Sequence, residues 1–366
     1  MKYYIISGEA SGDLHGSNLM KAMYRIDSNT EIRFWGGDLM ESAGGTLVKH
    51  YKERAFMGFS EVIMNLTKVL GFIKFCKKDI LEFNPDKIIF IDNSGFNLRI
   101  AKWAKAQNFN THYYISPQVW ASRSSRVDAI KRDVDSMYVI LPFVKDFYKK
   151  YGFDVTFVGH PLLDAIYDRV QVDENTFKRE HGLSNKPIIA LLPGSRKQEI
   201  TKMLSVMLKM ADKFKGYQFV IAGAPSQEYS FYKQFIKTEN VKFISNKTYD
   251  LLSFSYAALV TSGTATLETA LFKIPEVVCY KGSWFSYQIA KRIITLKYIS
   301  LVNLIMNRES VIELIQNDFN EKRLEQELDR ILDPEQRLKI FNDYYELEQI
   351  LGGSGASEKT AKLIMS

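Results

Sequence analysis

Ile188-Ile189-Ala190-Leu191-Leu192-Pro193-Gly194-Ser195-Arg196 opens the second half of a 366-residue chain. Five apolar residues break off into proline, glycine, serine and arginine. So short an apolar run, closed by turn residues, predicts a buried strand that ends in a tight loop. A helix is expected next, from about Lys197 to Phe214. The N-terminus has the same order. Tyr3-Tyr4-Ile5-Ile6 runs into Gly8-Glu9-Ala10-Ser11-Gly12-Asp13, after which Leu14, Leu19, Met20 and Met23 recur at helical spacing. Two such openings predict two α/β units.

Strands at residues 87–91, 111–116 and 137–141 alternate with helices at 98–107 and 143–151. The second half repeats the alternation with strands at 218–222, 257–261 and 276–280 and a helix around 266–272. Alternating β and α elements predict an α/β fold of parallel sheets with helices on both faces. The expected segmentation is residues 1–165, 166–340 and a helical tail at 341–366, with Gly352-Gly353-Ser354-Gly355 as a hinge before the last helix.

Composition narrows the function classes. Hydrophobic residues make up 46% and charged residues 25%, which excludes a disordered chain. A net charge of +7 favours anionic partners: nucleic acid, anionic lipid or a phosphorylated substrate. The two cysteines, Cys76 and Cys279, stand outside any metal-ligand spacing and predict neither a disulfide framework nor a zinc site. The opening strand turns polar by Ser7, so no secretory segment is expected, and no apolar run is long enough to span a bilayer.

Four motifs carry candidate chemistry. Pro193-Gly194-Ser195-Arg196 joins an arginine to a helix N-terminus, a combination suited to a diphosphate, though a surface arginine after a turn has the same sequence. Thr261-Ser262-Gly263-Thr264-Ala265-Thr266 lies between a strand and a helix, where α/β sheets bind ligands. One turn later Glu268 can accept both hydroxyls of a ribose, while Thr264 or Thr266 can equally serve as a helix cap. Asp92 leaves the apolar strand Ile88-Ile89-Phe90-Ile91 and is a candidate general base, although Asp92-Asn93-Ser94-Gly95 is also good turn chemistry. Asp133-Val134-Asp135 is a literal DxD, but its charged surroundings suit a solvated helix end better than a metal.

Residues 59–78 form a helical pattern in which Phe59, Val62, Ile63, Leu66, Val69, Leu70 and Ile73 make the expected core stripe. The opposite side carries Met64, Phe72 and Phe75 among Lys68, Lys74 and Lys78, a mixture suited to a membrane interface. A helix buried on both sides would read the same way.

These motifs, in this order, resemble the lipid-A-disaccharide synthase family, glycosyltransferase family 19. The resemblance also rests on Met57-Gly58, Ser116-Pro117, Val119-Trp120-Ala121, Val158-Gly159-His160-Pro161, Ser300-Leu301 and Asn303-Leu304. It implies a GT-B architecture, two Rossmann-like domains facing across a cleft, with the N-terminal domain on the acceptor and membrane side and the C-terminal domain holding the UDP-sugar. The implied reaction moves 2,3-diacylglucosamine from UDP to 2,3-diacylglucosamine 1-phosphate with inversion, in lipid A biosynthesis. Asp92 would be the base. Arg196, with Gly194, Ser195, Ser262, Gly263 and Thr264, would meet the diphosphate, and Glu268 would hold the ribose. Ser11, Asn303 and Gln316 match positions that the family places around the sugars. No cofactor and no metal are implied.

The implied setting is cytoplasmic, peripheral on the inner membrane, with Met64, Lys68, Phe72, Phe75 and Lys78 in contact with lipid, and a homodimer is compatible with it. Gly95 stands where the family pattern has a second carboxylate, and Ser122 and Val302 replace a usual Trp and Pro. Two other functions remain open. A UDP-sugar epimerase shares the fold, and a basic nucleic-acid-binding protein would explain the charge but lacks a recognised module.

Overall fold

The computed structural model describes residues 1–54, 66–122, 124–282 and 297–366. The chain divides into two units, one of Met1–Tyr167 with Leu351–Ser366 and one of Asp168–Ile350.

The first unit is built on a seven-stranded parallel sheet of β1 (Lys2–Ile6), β2 (Glu31–Gly36), β3 (Thr46–His50), β4 (Lys87–Ile91), β5 (Asn110–Tyr114), β6 (Ser136–Val139) and β7 (Thr156–Phe157), in the order β3-β2-β1-β4-β5-β6-β7. The second has six parallel strands, β8 (Ile188–Leu192), β9 (Gln218–Gly223), β10 (Val241–Ser245), β11 (Ser255–Thr261), β12 (Glu276–Tyr280) and β13 (Ile312–Ile315), in the order β10-β9-β8-β11-β12-β13. In both, the strand order reverses beside the first strand, as in doubly wound Rossmann sheets. Strands covered by helices on both faces must be apolar along their whole length, and β8 is buried at all five positions.

The last helix, Ala356–Met365, returns to the first unit. Asp164 accepts hydrogen bonds from the amides of Gly355 (2.6 Å) and Ser357 (2.8 Å), satisfying donors at the helix start, and Ala361 and Ile364 join the core of β1, β2 and β4. Residue 341, the expected start of the tail, falls inside the helix Pro334–Ile350 of the second unit.

Helix Leu66–Phe83 corrects the expected faces of the 59–78 pattern, of which residues 59–65 lie outside the described chain. Its buried positions are Cys76, Asp79, Ile80 and Phe83. At 3.6 residues per turn this turns Leu70, expected in the core, out to 54% exposure. Phe72, expected outside, meets Trp35 edge-on at 6.4 Å. The rotation goes with a buried carboxylate that hydropathy does not register: Asp79 accepts from the half-buried Arg33 at Nε (3.0 Å) and from the Tyr4 hydroxyl at 2.6 Å. Among the described residues no helix is long and apolar enough to cross a membrane.

Candidate functional site

A reversal of strand order leaves a crevice at the C-terminal edge of a parallel sheet, because the flanking connections leave to opposite faces. In the second unit this crevice lies between β8 and β11. It contains a cavity of about 350 Å³ lined by Gly194, Ser195, Glu199, Gly223, Pro225, Thr248, Thr261, Ser262, Gly263, Thr264 and Glu268, among others. Two helices, Lys197–Met207 and Thr264–Leu271, start beside it, so unpaired amides and the positive ends of two helix dipoles collect there. Gly194 has φ +100°, a left-handed conformation that a side chain resists, and a Cβ there would stand 3.1 Å from Glu199 Oε2.

The groups in this crevice divide into those held by the protein and those left available. The Ser262 amide donates to the Cys279 carbonyl (3.1 Å) and its hydroxyl to the Ile299 carbonyl (3.0 Å), so Ser262 ties the loop down. The exposed Gly263 and Thr264 lead into the helix beyond it. The Thr266 hydroxyl donates to the Gly263 carbonyl at 2.9 Å, which places it inside the loop's own bonding and away from the cap position. Glu268 is half-buried. Burial pushes its carboxyl above the ordinary range, and a hydrogen bond from the Tyr249 hydroxyl to Oε1 at 2.9 Å pulls it back.

Arg196 does not line this cavity. Its side chain is 82% exposed, pairs with Glu199 at 3.4 Å, and borders an adjoining depression with Lys197, Lys202 and Lys281. Glu199 lines both concavities.

Asn303, expected near a sugar, is fully buried with its amide saturated. Nδ2 donates to the Val311 carbonyl (2.8 Å) and to Glu313 (2.9 Å), while Oδ1 accepts from the amides of Ser310 (2.8 Å) and Val311 (3.0 Å). No donor or acceptor is left for a ligand, so the side chain acts as a strut between helix Leu301–Met306 and β13. Gln316 sits at the end of β13 with φ +55°, its amide donating to the Tyr280 carbonyl at 2.7 Å.

The crevice of the first unit, between β1 and β4, is built differently. Asp92 and Asn93 both have φ +44°, and such consecutive left-handed residues persist only where their surroundings hold them. Asn97 holds them here. From the first turns of helix Ser94–Ala106 its Nδ2 donates to the carbonyls of Ile6 (3.2 Å), Ile91 (3.2 Å) and Asp92 (2.9 Å), and the Tyr113 hydroxyl also donates to the Asp92 carbonyl. The two loops press so close that a Cβ on Gly8 would lie 2.2 Å from Asn93 Nδ2. Burial, and then the charge of Glu9, push the Asp92 carboxyl up to about 6. A carboxylate so poised can take a proton near neutral pH. Ser11 is exposed in the first turn of helix Ala10–Ile26.

A family model described as Lipid-A-disaccharide synthetase matches residues 3–364. The chain is 40% identical to the lipid-A-disaccharide synthase of Syntrophus aciditrophicus, over 99% of this chain and 96% of that protein. The chain belongs to the lipid-A-disaccharide synthase family. It is a glycosyltransferase of lipid A biosynthesis with a GT-B fold. Among solved structures it is similar to the UDP-GlcNAc 2-epimerase of Neisseria meningitidis bound to UDP-GlcNAc (TM-score 0.66, 11% identity, 100% of this chain and 98% of that one). It is also similar to CalG4, the calicheamicin glycosyltransferase (TM-score 0.61, 13% identity, 100% and 97%). At such identities the likeness shows the fold alone, so the epimerase alternative has only shared architecture behind it.

In the DxD, Asp133 is paired with Arg132 at 2.7 Å, and Asp135 bonds Lys105 and the Thr111 amide (3.0 Å). Both acids are engaged by protein, and among the described residues no group of three or more His, Cys, Asp or Glu could hold a metal. His160 is buried, accepts from the Leu162 amide at 3.2 Å, and burial pushes its imidazole down to about 3. The Gly95 departure leaves open space, since a Cβ there would meet nothing within 4 Å. Sequence reasoning missed Glu9, Glu199 and Tyr249. Glu9 lies inside a stretch it did quote and Glu199 just beyond another, whereas Tyr249 lies 19 residues before its partner and gives no local signal.

Proposed function

We propose that the chain moves a 2,3-diacylated glucosamine from UDP to the 6-hydroxyl of 2,3-diacylglucosamine 1-phosphate, with inversion. The observation that carries this reading is the β8–β11 cavity, where two helix starts meet beside a half-buried carboxylate one turn into the second helix. UDP fits such a site chemically: amides at Ser195, Gly263 and Thr264 face its diphosphate, and Glu268 accepts from its ribose diol. Arg196 leaves Glu199 and turns onto the diphosphate when donor binds, which explains its exposure and its loose pairing.

Asp92 takes the proton of the acceptor hydroxyl as that oxygen attacks the anomeric carbon. The bond from that carbon to the diphosphate breaks, and UDP leaves with the electron pair. Ser11, near the N-terminus of its helix, and Gln316 are the remaining candidates for sugar contacts. We assign the first unit to the acceptor and the second to the donor.

Acylated substrates require an approach to lipid at the cytoplasmic face of the inner membrane. Helix Leu66–Phe83 supports this with Leu70 (54%), Phe75 (46%) and Leu81 (53%) exposed among Lys68, Lys74 and Lys78. Phe72 leaves that list because it is half-buried, Phe75 stays on it with a ring that also meets Trp35 at 6.0 Å, and Met64 lies outside the described residues. A homodimer stays compatible with this arrangement. Incubating purified protein with the two acylated sugars, with mass spectrometry of the products, tests the proposal. A disaccharide monophosphate and UDP are expected; conversion of UDP-N-acetylglucosamine to its epimer without acceptor would overturn it.

A further inference from the structure

Behind Glu268 lies a chain of contacts that neither its helix nor the cavity requires. The Tyr249 hydroxyl donates to Glu268 Oε1 at 2.9 Å from the separate helix Thr248–Ser253. Its ring packs against Phe272 (5.3 Å between centroids), and the Arg169 guanidinium lies over the same Phe272 ring at 4.9 Å. Arg169 also donates to the Ser253 hydroxyl (2.7 Å), which donates in turn to the Tyr249 carbonyl (2.7 Å). The tyrosine is thus fixed at its ring, its backbone and its hydroxyl. Neighbouring Thr248 forms part of the cavity wall, so the helix that carries the tyrosine also shapes the site.

We propose that Tyr249 is a positioning residue for donor recognition, holding one oxygen of the Glu268 carboxylate so that the other faces the ribose diol of a uridine diphosphate. The inference rests on Glu268 being the ribose acceptor. A free glutamate can rotate about three side-chain bonds, and each rotamer that must be frozen on binding weakens the complex. A tyrosine hydroxyl, rigid along its ring, removes that freedom beforehand. It also occupies a lone pair and leaves the carboxylate acceptor-only toward the cavity, which matches a vicinal diol that donates twice. Glu199 is the other carboxylate on the cavity wall, and its partner in the structure is the exposed Arg196 at 3.4 Å.

The test compares two nucleotides on one variant. Calorimetric binding of UDP and 2′-deoxy-UDP is measured for the natural protein, Tyr249→Phe and Glu268→Gln. The natural protein should prefer UDP about tenfold or more, the scale of one hydrogen bond to a charged group. Tyr249→Phe should keep its affinity for 2′-deoxy-UDP and lose most of that preference, and Glu268→Gln should lose it entirely. A merely loosened domain would bind both nucleotides more weakly by the same factor, so equal weakening overturns the proposal, as does a Tyr249→Phe protein with the full preference. If the natural protein binds both nucleotides equally, the ribose role of Glu268 falls first and takes the positioning role with it.

Discussion

The two strand-order reversals of this molecule share a topology and differ in chemistry. Between β1 and β4 the loops bring acid: Asp92 on a strained left-handed turn, with the charge of Glu9 helping to hold its carboxyl near 6. Between β8 and β11 they bring glycines, hydroxyls and two helix starts around a carboxylate tied to a tyrosine. A doubly wound sheet decides where a ligand can sit, and the loop residues decide which ligand that is. An inverting transfer needs one of each, a base for the incoming hydroxyl and a cradle for the departing diphosphate.

The sharpest way to break the contrast is to remove the base without changing its shape. Asp92→Asn should lower turnover by roughly 10²–10⁴, with UDP affinity unchanged. Weak UDP binding with normal turnover would move Asp92 to the donor side. Next in size is Arg196→Ala, which should cost about 10²–10³ in kcat through lost stabilisation of the leaving group. Because Arg196 is exposed, its removal should leave the melting temperature in place.

The membrane face comes third. Leu70→Ser with Leu81→Ser should weaken binding to anionic vesicles at least about tenfold, since each side chain buried in the interface contributes about 1.5–3 kcal/mol. Phe72→Ser and Phe75→Ser should instead lower the melting temperature through their contacts with Trp35. Vesicle binding that survives the outer pair would remove this helix from docking.

The smallest effect is a displacement along the pH axis. A base must be ionised to act, so kcat/KM should fall as pH drops through about 6, and the midpoint should follow the charges around Asp92. Glu9→Gln removes a charge that raises the Asp92 carboxyl, so its midpoint should move to lower pH. Gly95→Asp places a carboxylate in open space on the adjoining turn and should move it higher. A midpoint indifferent to both would mean that another group titrates.

Helix Leu66–Phe83 and Asn303 show where reading the chain alone stops. Hydropathy placed Leu70 inside and Phe72 outside because the pattern ended at Lys78, one residue before the buried Asp79, whose partners Arg33 and Tyr4 lie 46 and 75 residues away. Asn303 matched a family position near a sugar, yet all four of its hydrogen-bonding positions are filled by residues 310–313.

The sequence by itself determined the two α/β openings, the strands β1, β4, β5, β6, β8, β9, β11 and β12, the loops after β4, β8 and β11 and the family, because these depend on short apolar runs and adjacent turn residues. Only the tertiary structure decided the return of the last helix to the first unit, the turning of Arg196 away from the β8–β11 cavity, the rotation of helix Leu66–Phe83 and the partnership of Tyr249 with Glu268. Each of these is set by residues far apart in the chain, whose pairing energies appear only once the backbone has brought them within hydrogen-bond or van der Waals distance.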